Sequence, residues 1–308
     1  MEPVIETEGR QTQSLILKNG SPVGFAEYGD PKGFPVLALH GVPACRLMFA
    51  VADKSAKQLN LRIIAPDRPG YGRTPSDQRA TLQSRTEWLA QFVDALRVNR
   101  CALFAISGGS PYAVSFASFS KDRVQAVVLV SPMGPIAEYA ATPDAQAEPL
   151  SFFQEQFFIN LPPRLRLKQP IANLGAWAFR KIPDFFSGLL PKIANAHDAI
   201  ILSRPEMKLY LNEMTLEALS QGGRGCAQDW EIFSRPWGVT YKNITMPVEI
   251  WQGTTDPVVP PQVVEWLACQ LPTCKLHLIK DAGHFWIFDH VNEVLSTLAQ
   301  HLSQRSSM

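Results

Sequence analysis

The sequence predicts an α/β protein with a doubly wound, mostly parallel sheet and an inserted helical cap. Between residues 35 and 131, short continuous apolar runs alternate with helical segments, as expected for strands buried on both faces of a parallel sheet. From residue 132 to residue 242 the strand-like runs stop and helical patterns replace them, and the alternation then resumes. We therefore expect a core domain made of residues 1–131 and 243–308, with the cap at residues 132–242.

The composition is that of an ordinary globular chain without a charged partner. Its 308 residues are 46% hydrophobic and 19% charged, with a formal net charge of +1. No basic run, block of one charge or apolar run near the ~18 residues of a membrane span occurs, so we expect no nucleic acid and no membrane as partner. The acidic, polar start and five cysteines without metal-ligand spacing predict reduced thiols, no metal and a cytoplasmic location.

Turn signals and apolar periods define the elements before the cap. Asn19-Gly20 between two short apolar runs predicts a hairpin. The apolar period between Leu89 and Leu96 predicts an amphipathic helix over residues 81–98. Buried parallel strands are predicted at residues 35–40, 61–67, 101–106 and 124–130.

Capping signals and aromatic residues mark the cap. Ser151 with Gln154, and Ser203 with Glu206, have the spacing of capping boxes. We expect most of the cap aromatics to form its own core and a few to line an apolar pocket. These aromatics are Phe152, Phe153, Phe157, Phe158, Trp177, Phe179, Phe185 and Phe186. After the cap we expect strands at residues 247–252 and 275–279 and helices at residues 261–271 and 289–303.

The stretch from Cys101 to Ala113 has the form of a strand, a very tight turn and a helix. Six apolar residues end at Ser107, and small residues stand on both sides of it, namely Ala105, Gly108 and Gly109. A nucleophile elbow has this form because small residues let the strand and the helix approach closely while the serine hydroxyl projects above the sheet. The usual G-x-S-x-G pattern has Ala105 in place of its first glycine, so we expect a slightly looser turn.

An aspartate and a histidine follow later strands in the order Ser, Asp, His. Asp256 comes after the strand at residues 247–252, where an aspartate can orient an imidazole or simply cap the next helix. His284 lies 28 residues further on, in the loop after the next strand. Because the carboxyl ends of parallel strands meet at one edge of the sheet, we expect Ser107, Asp256 and His284 to form a catalytic triad.

The loop His40-Gly41-Val42-Pro43 has the position of an oxyanion hole. Such a hole needs one backbone donor from the residue after the nucleophile and one from the loop after an early strand. Pro43 has no N–H, so we expect the donors to be Val42 and Gly108, with His40 bracing the loop. The candidates for lining the substrate pocket are Pro43, Met133, Phe157, Phe158 and Phe285.

Taken together, these motifs resemble the α/β-hydrolase-fold serine hydrolases of the capped, esterase-like type. The resemblance covers about residues 15–303 and includes D-R-P-G-Y-G at residues 67–72 and A-G-H-F at residues 282–285. It implies no cofactor and a small-molecule acyl substrate that is reached through the cap. The activity it implies is hydrolysis of an ester or related acyl bond by way of an acyl-enzyme.

Other activities stay open on the same scaffold. Carbon–carbon bond hydrolases and proline-type aminopeptidases resemble this chain and also use a serine at the elbow. An aminopeptidase needs cap carboxylates to hold an amine, and the candidates are Glu206, Glu213, Glu217 and Glu231. Epoxide hydrolases and haloalkane dehalogenases need a carboxylate at the elbow, where this chain has Ser107. A non-catalytic small-molecule receptor is the alternative from another functional class.

Overall fold

The computed structural model describes residues 5–7, 12–77, 80–151, 154–160 and 168–306. In these residues nine strands form one sheet in the order β1-β2-β3-β5-β4-β6-β7-β8-β9. The strands are Ile5–Thr7 (β1), Gln13–Ile16 (β2), Pro22–Gly29 (β3), Phe34–Leu39 (β4), Leu61–Pro66 (β5), Cys101–Ile106 (β6), Val124–Val130 (β7), Val248–Gly253 (β8) and Cys274–Ile279 (β9). β1, β2 and β3 add to the sheet antiparallel, whereas β4 to β9 run parallel. The predicted α/β fold class is confirmed.

Helices cover both faces of this sheet and make up much of the described part of the segment between β7 and β8. In chain order the α-helices are Asp53–Gln58 (α1), Leu82–Ala95 (α2), Ser110–Phe119 (α3), Ile136–Tyr139 (α4), Asp144–Ala147 (α5), Lys168–Lys181 (α6), Pro183–Ile193 (α7), Ala196–Ser203 (α8), Pro205–Ala218 (α9), Arg224–Phe233 (α10), Pro261–Gln270 (α11) and Ile287–Ser306 (α12). α2, α3 and α11 pack on one face, and α1 and α12 pack on the other.

Two apolar cores lie on opposite faces of the sheet because alternate strand residues point in opposite directions. On β4, Leu37 and Leu39 join the core under α2 and α3, whereas Val36 and Ala38 join the core under α1 and α12. A strand buried on both faces needs a continuous apolar run, which is what the sequence has here. The sheet is thereby fixed as a rigid platform whose carboxyl edge carries the loops described below.

Of the two predicted capping boxes in the cap, one is present and one is wrong. Ser151 Oγ accepts the N–H of Gln154 at 3.3 Å, and Gln154 Oε1 accepts the N–H of Ser151 at 2.9 Å. Ser203 instead ends α8, and the extended Arg204 precedes α9 without a side-chain cap. The reason is Pro205, which disfavours a helical residue before it and itself fits the first helical position.

The cap aromatics divide between packed and exposed rings. The Phe179 and Phe186 rings stack with centroids 5.6 Å apart, whereas Trp177 and Phe185 are 59% and 62% exposed. Phe152 and Phe153, and the side chain of Phe157, fall outside the described residues. The boundaries of the cap at residues 132 and 242 stay a prediction. Among the helices of the described residues, none combines the length and the apolar character that crossing a membrane requires.

Candidate active site

Ser107 occupies a strained turn between β6 and α3. Its φ of 52° lies in the left-handed region, which non-glycine residues rarely adopt. The turn passes so close to β4 that a Cβ on Gly109 would lie 2.1 Å from the carbonyl oxygen of Leu39. Ala105 is fully buried in β6 beside Leu39, so alanine fits where the usual pattern has glycine. The strain fixes the direction of the serine side chain at the edge of the sheet.

The structure brings Ser107, His284 and Asp256 together at this edge. His284 Nε2 lies 3.1 Å from Ser107 Oγ, and His284 Nδ1 lies 2.7 Å from Asp256 Oδ2. This pattern assigns a neutral imidazole whose Nδ1–H donates to the carboxylate and whose Nε2 can accept the serine proton. The other carboxylate oxygen, Asp256 Oδ1, accepts the N–H groups of Val258 at 2.8 Å and Val259 at 3.0 Å.

The Asp256 carboxylate and the His284 imidazole shift each other's pKa. Burial acts to raise the pKa of Asp256, but His284 and the N–H groups of Val259 and Val258 outweigh it, so this pKa lies below its usual value. Burial acts to lower the pKa of His284, but the carboxylates of Asp256 and Asp198 outweigh it, so this pKa lies above its usual value. His284 is therefore a stronger base than an ordinary histidine.

The predicted oxyanion loop lies directly beside the elbow. A Cβ on Gly41 would be 3.3 Å from Ser107 Cβ, and a Cβ on Gly108 would be 2.8 Å from Val42 Cγ2. The same position on Gly108 would be 2.9 Å from Cζ of Phe233, a cap residue at the end of α10 that sequence reasoning missed. The loop and the turn thus meet closely, and the roles of the Val42 and Gly108 N–H groups stay a prediction.

His40 has the surroundings of a bracing residue. It is fully buried, its Nε2 accepts the N–H of Arg68 at 3.0 Å, and its Nδ1 lies 2.9 Å from the carbonyl oxygen of Gly41. Burial holds the pKa of His40 well below its usual value, and the positive charge of the nearby Arg68 guanidinium lowers it further. A neutral ring that links the loop of Gly41 to the loop of Arg68 agrees with the structural role expected for it.

A buried ionic network joins the cap to the D-R-P-G-Y-G segment. Asp229 Oδ2 on α10 accepts Arg68 Nη2 at 2.6 Å and the Tyr71 hydroxyl at 2.7 Å, and Asp229 Oδ1 accepts the Tyr112 hydroxyl. All four residues are at least 97% buried. Burial, with the Asp229 carboxylate, raises the pKa of both tyrosines, so they stay protonated donors. The segment at residues 67–72 is part of the family resemblance, but the sequence does not predict Asp229 as its partner.

A second buried cap carboxylate, also missed, contacts the histidine loop. Asp198 Oδ2 on α8 accepts the N–H of His284 at 2.5 Å, and Asp198 Oδ1 accepts the N–H of Phe285 at 3.2 Å. Asp198 is 1% exposed, and burial raises its pKa. The one signal in the sequence is the helix N-cap Asn195, three residues before it, which predicts the start of a helix but not what the helix contacts.

The predicted pocket residues lie in different surroundings. Met133 is buried, and its N–H donates to the carbonyl oxygen of Ser107 at 3.0 Å. Phe285 is half-buried and meets the His284 ring edge to face, with centroids 5.5 Å apart. Phe158 is buried within the core, and Pro43 is exposed. The side chain of the fifth candidate, Phe157, lies outside the described residues.

No metal centre accompanies these groups in the part of the chain that the structure describes. Within it, no group of three or more His, Cys, Asp and Glu side chains could hold a metal ion. The described site itself offers a hydroxyl, an imidazole and a carboxylate group. These three groups in one hydrogen-bonded line can generate a nucleophilic oxygen.

Comparisons with curated proteins find hydrolases over all or part of the chain. The chain is similar to epoxide hydrolase A of Mycobacterium tuberculosis, with 25% identity over an alignment of 327 residues that covers 96% of this chain and 98% of that protein. It is similar to the uncharacterized hydrolase YcgS of Bacillus subtilis, with 33% identity over 110 residues, and this match spans 35% of the chain and 38% of that relative.

Comparison with solved structures and with protein families agrees with the architecture. A thermophilic esterase from Thermogutta terrifontis matches with a TM-score of 0.65 and 21% identity over 99% of both chains, a similarity that speaks for the fold. The sequence model of the alpha/beta hydrolase fold family matches residues 35–291, which is most of the chain. Together with the fold and the turn at Ser107, this match shows that the chain belongs to the α/β-hydrolase-fold family.

Proposed function

We propose that the protein is a serine hydrolase that cleaves an ester or related acyl bond of a small, mainly apolar substrate. The observation that carries the proposal is the hydrogen-bonded line from Asp256 through His284 to Ser107, with distances of 2.7 and 3.1 Å. A serine hydroxyl is inert at neutral pH, and an adjacent oriented imidazole is what activates it. The small-molecule substrate and water are then the two reactants, and the residues themselves supply the chemistry.

The proposed reaction has two halves. In the first, His284 Nε2 takes the proton of Ser107 while the serine oxygen attacks the substrate carbonyl carbon, and the oxyanion accepts hydrogen bonds from the Val42 and Gly108 N–H groups. Asp256 stabilises the imidazolium, which then protonates the leaving alcohol as the carbon–oxygen bond breaks. In the second half, His284 takes a proton from water, the resulting hydroxide attacks the acyl-enzyme, and the proton returns to Ser107 as the acid leaves.

The residue at the elbow favours acyl transfer over epoxide opening or dehalogenation. Both of those activities use a carboxylate as the nucleophile at this position, and this chain has Ser107 instead. We therefore do not propose for this chain the epoxide hydrolase activity that the name of the relative from Mycobacterium tuberculosis gives. The esterase from Thermogutta terrifontis is one of the neighbours whose names agree with ester hydrolysis.

The carboxylates that an aminopeptidase needs are engaged or lie at the surface. Glu217 pairs with Arg46 at 2.7 Å, and Glu231 pairs with Lys168 and Arg235. Glu206 and Glu213, the other two candidates, are exposed. No observation among the described residues favours amine recognition, so we place ester hydrolysis ahead of aminopeptidase activity. Carbon–carbon cleavage uses the same three side chains and is separated by the assay.

The test compares three substrate classes and two serine variants. Wild type is assayed on aryl esters of increasing acyl length, a vinylogous diketone and a prolyl anilide, and is labelled with a fluorophosphonate. We expect ester hydrolysis and labelling in the wild type. Ser107→Ala should lose about 10⁵- to 10⁶-fold in kcat without unfolding, since the nucleophile is removed.

The matched control is Ser110→Ala, three residues further along the chain, at the first residue of α3. Ser110 is fully buried, and its Oγ has no hydrogen-bond partner among the described residues. This variant should keep both the activity and the labelling of wild type. Hydrolysis by Ser107→Ala at the wild-type rate would contradict the proposed function, and a wild-type protein that stays unlabelled and inactive would favour the receptor alternative.

A further inference from the structure

The first turn of α8 contacts both loops that carry the proposed acid and base. Asn195 caps this helix, with its Oδ1 accepting the N–H of Asp198 at 2.8 Å. The Nδ2 of the same residue donates to Thr255 Oγ1 at 2.6 Å, next to Asp256 in sequence. Asp198 accepts the N–H of His284. One turn of a cap helix thus spans the two sheet-edge loops.

Thr255 extends this contact from one loop to the other. Its hydroxyl accepts from Asn195 and can donate onward to the carbonyl oxygen of Ala282 at 3.0 Å. Its backbone N–H donates to the same carbonyl oxygen, also at 3.0 Å. Because Ala282 lies two residues before His284, a shift of Asn195 would act on both loops together.

Space at this junction is taken up completely. A Cβ on Gly283 would lie 2.1 Å from Asp198 Oδ2 and 2.6 Å from Asn195 Nδ2, so any side chain there would push the cap turn away. The backbone of Gly283 is not in the left-handed region, so the need for glycine comes from the close approach. The two cap side chains and this glycine therefore lie in close contact.

Burying the Asp198 carboxylate acts against folding. Burial raises its pKa, which means that the ionised form is less favourable in the folded protein than in the unfolded chain. The charged or titratable groups that face it are His284, Asp256 and His197, the last with Nδ1 4.0 Å from Asp198 Oδ1. A buried apolar side chain would carry no desolvation cost, but it would leave the N–H groups of His284 and Phe285 without this acceptor. The carboxylate instead holds two N–H groups of the histidine loop.

We propose that Asn195 and Asp198 form a positioning clamp through which the docked cap aligns the acid and base of the active site. The inference deepens the proposed function and rests on it for its kinetic consequence. Asp198 touches no reacting atom and acts through the His284 backbone and through its negative charge. The site should be aligned for proton transfer only while the first turn of α8 is seated on residues 282–285.

The first test needs no substrate. Protein carrying ¹⁵N-labelled histidine is titrated by NMR, and the pKa of the His284 ring is compared between wild type and Asp198→Asn. We expect a lower pKa in the variant, because a negative charge beside the imidazole is removed. The matched control is Arg204→Gln at the other end of α8. This variant removes an ion pair to Asp289 with distances of 2.5 and 2.7 Å, and it should leave the pKa of His284 unchanged.

The second test separates positioning from stability by kinetics on the best aryl ester. Asp198→Ala should lower kcat by about 10²-fold with KM changed by less than about threefold, since a small misplacement of a catalytic group has this effect. Asp198→Asn should lose less, because its amide oxygen can still accept one N–H. Gly283→Ala should lower kcat without removing any charge, and Arg204→Gln should keep the wild-type kcat.

The outcomes distinguish this proposal from the proposed function. If wild type hydrolyses esters while Asp198→Asn and Gly283→Ala keep its kcat and Asp198→Asn keeps the His284 pKa, the clamp is wrong and the contacts only attach the cap. If wild type hydrolyses nothing but the His284 pKa falls in Asp198→Asn, the electrostatic link stands and the proposed function is wrong. A fall in kcat and in the His284 pKa supports both.

Discussion

Two cap helices, α8 and α10, each bring one buried aspartate to the edge of the sheet, but the two carboxylates meet different groups. Asp229 on α10 meets the guanidinium of Arg68 at 2.6 Å and two tyrosine hydroxyls. Asp198 on α8 meets two backbone N–H groups beside an imidazole. One carboxylate neutralises a permanent buried cation, and the other lies beside a group that gains and loses a proton.

This difference assigns different consequences to the same residue type. Removing one partner of a buried ion pair leaves a charge in a medium that solvates it poorly, and the folded state loses several kcal/mol. Removing an acceptor of backbone N–H groups leaves neutral dipoles, and the loss is smaller. We therefore expect Asp229 to act mainly on stability and Asp198 mainly on the proposed chemistry.

The largest effect should be the destabilisation by Asp229→Ala. Arg68 is 2% exposed, so its unpaired charge should lower the free energy of unfolding by about 3–5 kcal/mol. Asp198→Ala should lower it by about 1–3 kcal/mol. The measurement is urea unfolding followed by circular dichroism, with both variants at the same pH and salt concentration.

A double variant checks that the charge causes the difference. Arg68→Met combined with Asp229→Leu removes both ions and should be more stable than Asp229→Ala alone, because no buried charge is left. Equal losses in Asp198→Ala and Asp229→Ala would contradict the distinction between the two helices.

The arrangement of Ser107, Asp256 and His284 at the edge of the sheet could be predicted from the sequence because its signals are local. A strand followed by Ser107 in a small-residue turn fixes the backbone form within a few residues, and the loops of Asp256 and His284 then fall at the same sheet edge by topology. The order of the strands in the sheet then brings the imidazole between the hydroxyl and the carboxylate. Their catalytic roles stay a prediction.

The cap contacts could not be predicted because their signals are tertiary. Asp198 and Asp229 lie within helices, where an aspartate is most often on the solvated face. Which helix face is buried depends on how the cap is seated, and no residue next to either aspartate encodes that. The failed capping box at Ser203 has a local cause, since Pro205 moved the start of α9 by one residue.

A change in substrate specificity, intermediate in size, should distinguish α10 from α8. Phe233, four residues after Asp229, lies close to Gly108 of the elbow, and we expect its ring to limit the space for the acyl group. Phe233→Leu should raise kcat/KM for bulky acyl groups relative to acetyl by about 10-fold, since each added methylene is worth that order of discrimination. The measurement is an aryl ester series from acetyl to octanoyl.

The control for this specificity change lies on α8. Asp198→Asn should lower kcat for every ester by a similar factor and leave the ranking of acyl groups as in wild type. Conversely, the His284 pKa should be the same in Phe233→Leu as in wild type. A change of acyl ranking in Asp198→Asn would mean that α8 also shapes the pocket.

The smallest effect should be a pH-dependent change in the stability contributed by Asp198. Its folded-state pKa is raised by burial, so its contribution to stability is fully present below the unfolded pKa and is lost as the pH rises through the folded value. The His284 pKa is also raised, and its contribution is lost in the same direction. Asp198→Asn removes the first titration and weakens the second.

The Tm of the variant should therefore improve relative to wild type as the pH rises from about 4 to about 8, because only wild type then buries an ionised carboxylate there. A Tm difference that stays constant across this range would mean that Asp198 is solvated in the folded protein, and α8 would then lose the feature that sets it apart from α10.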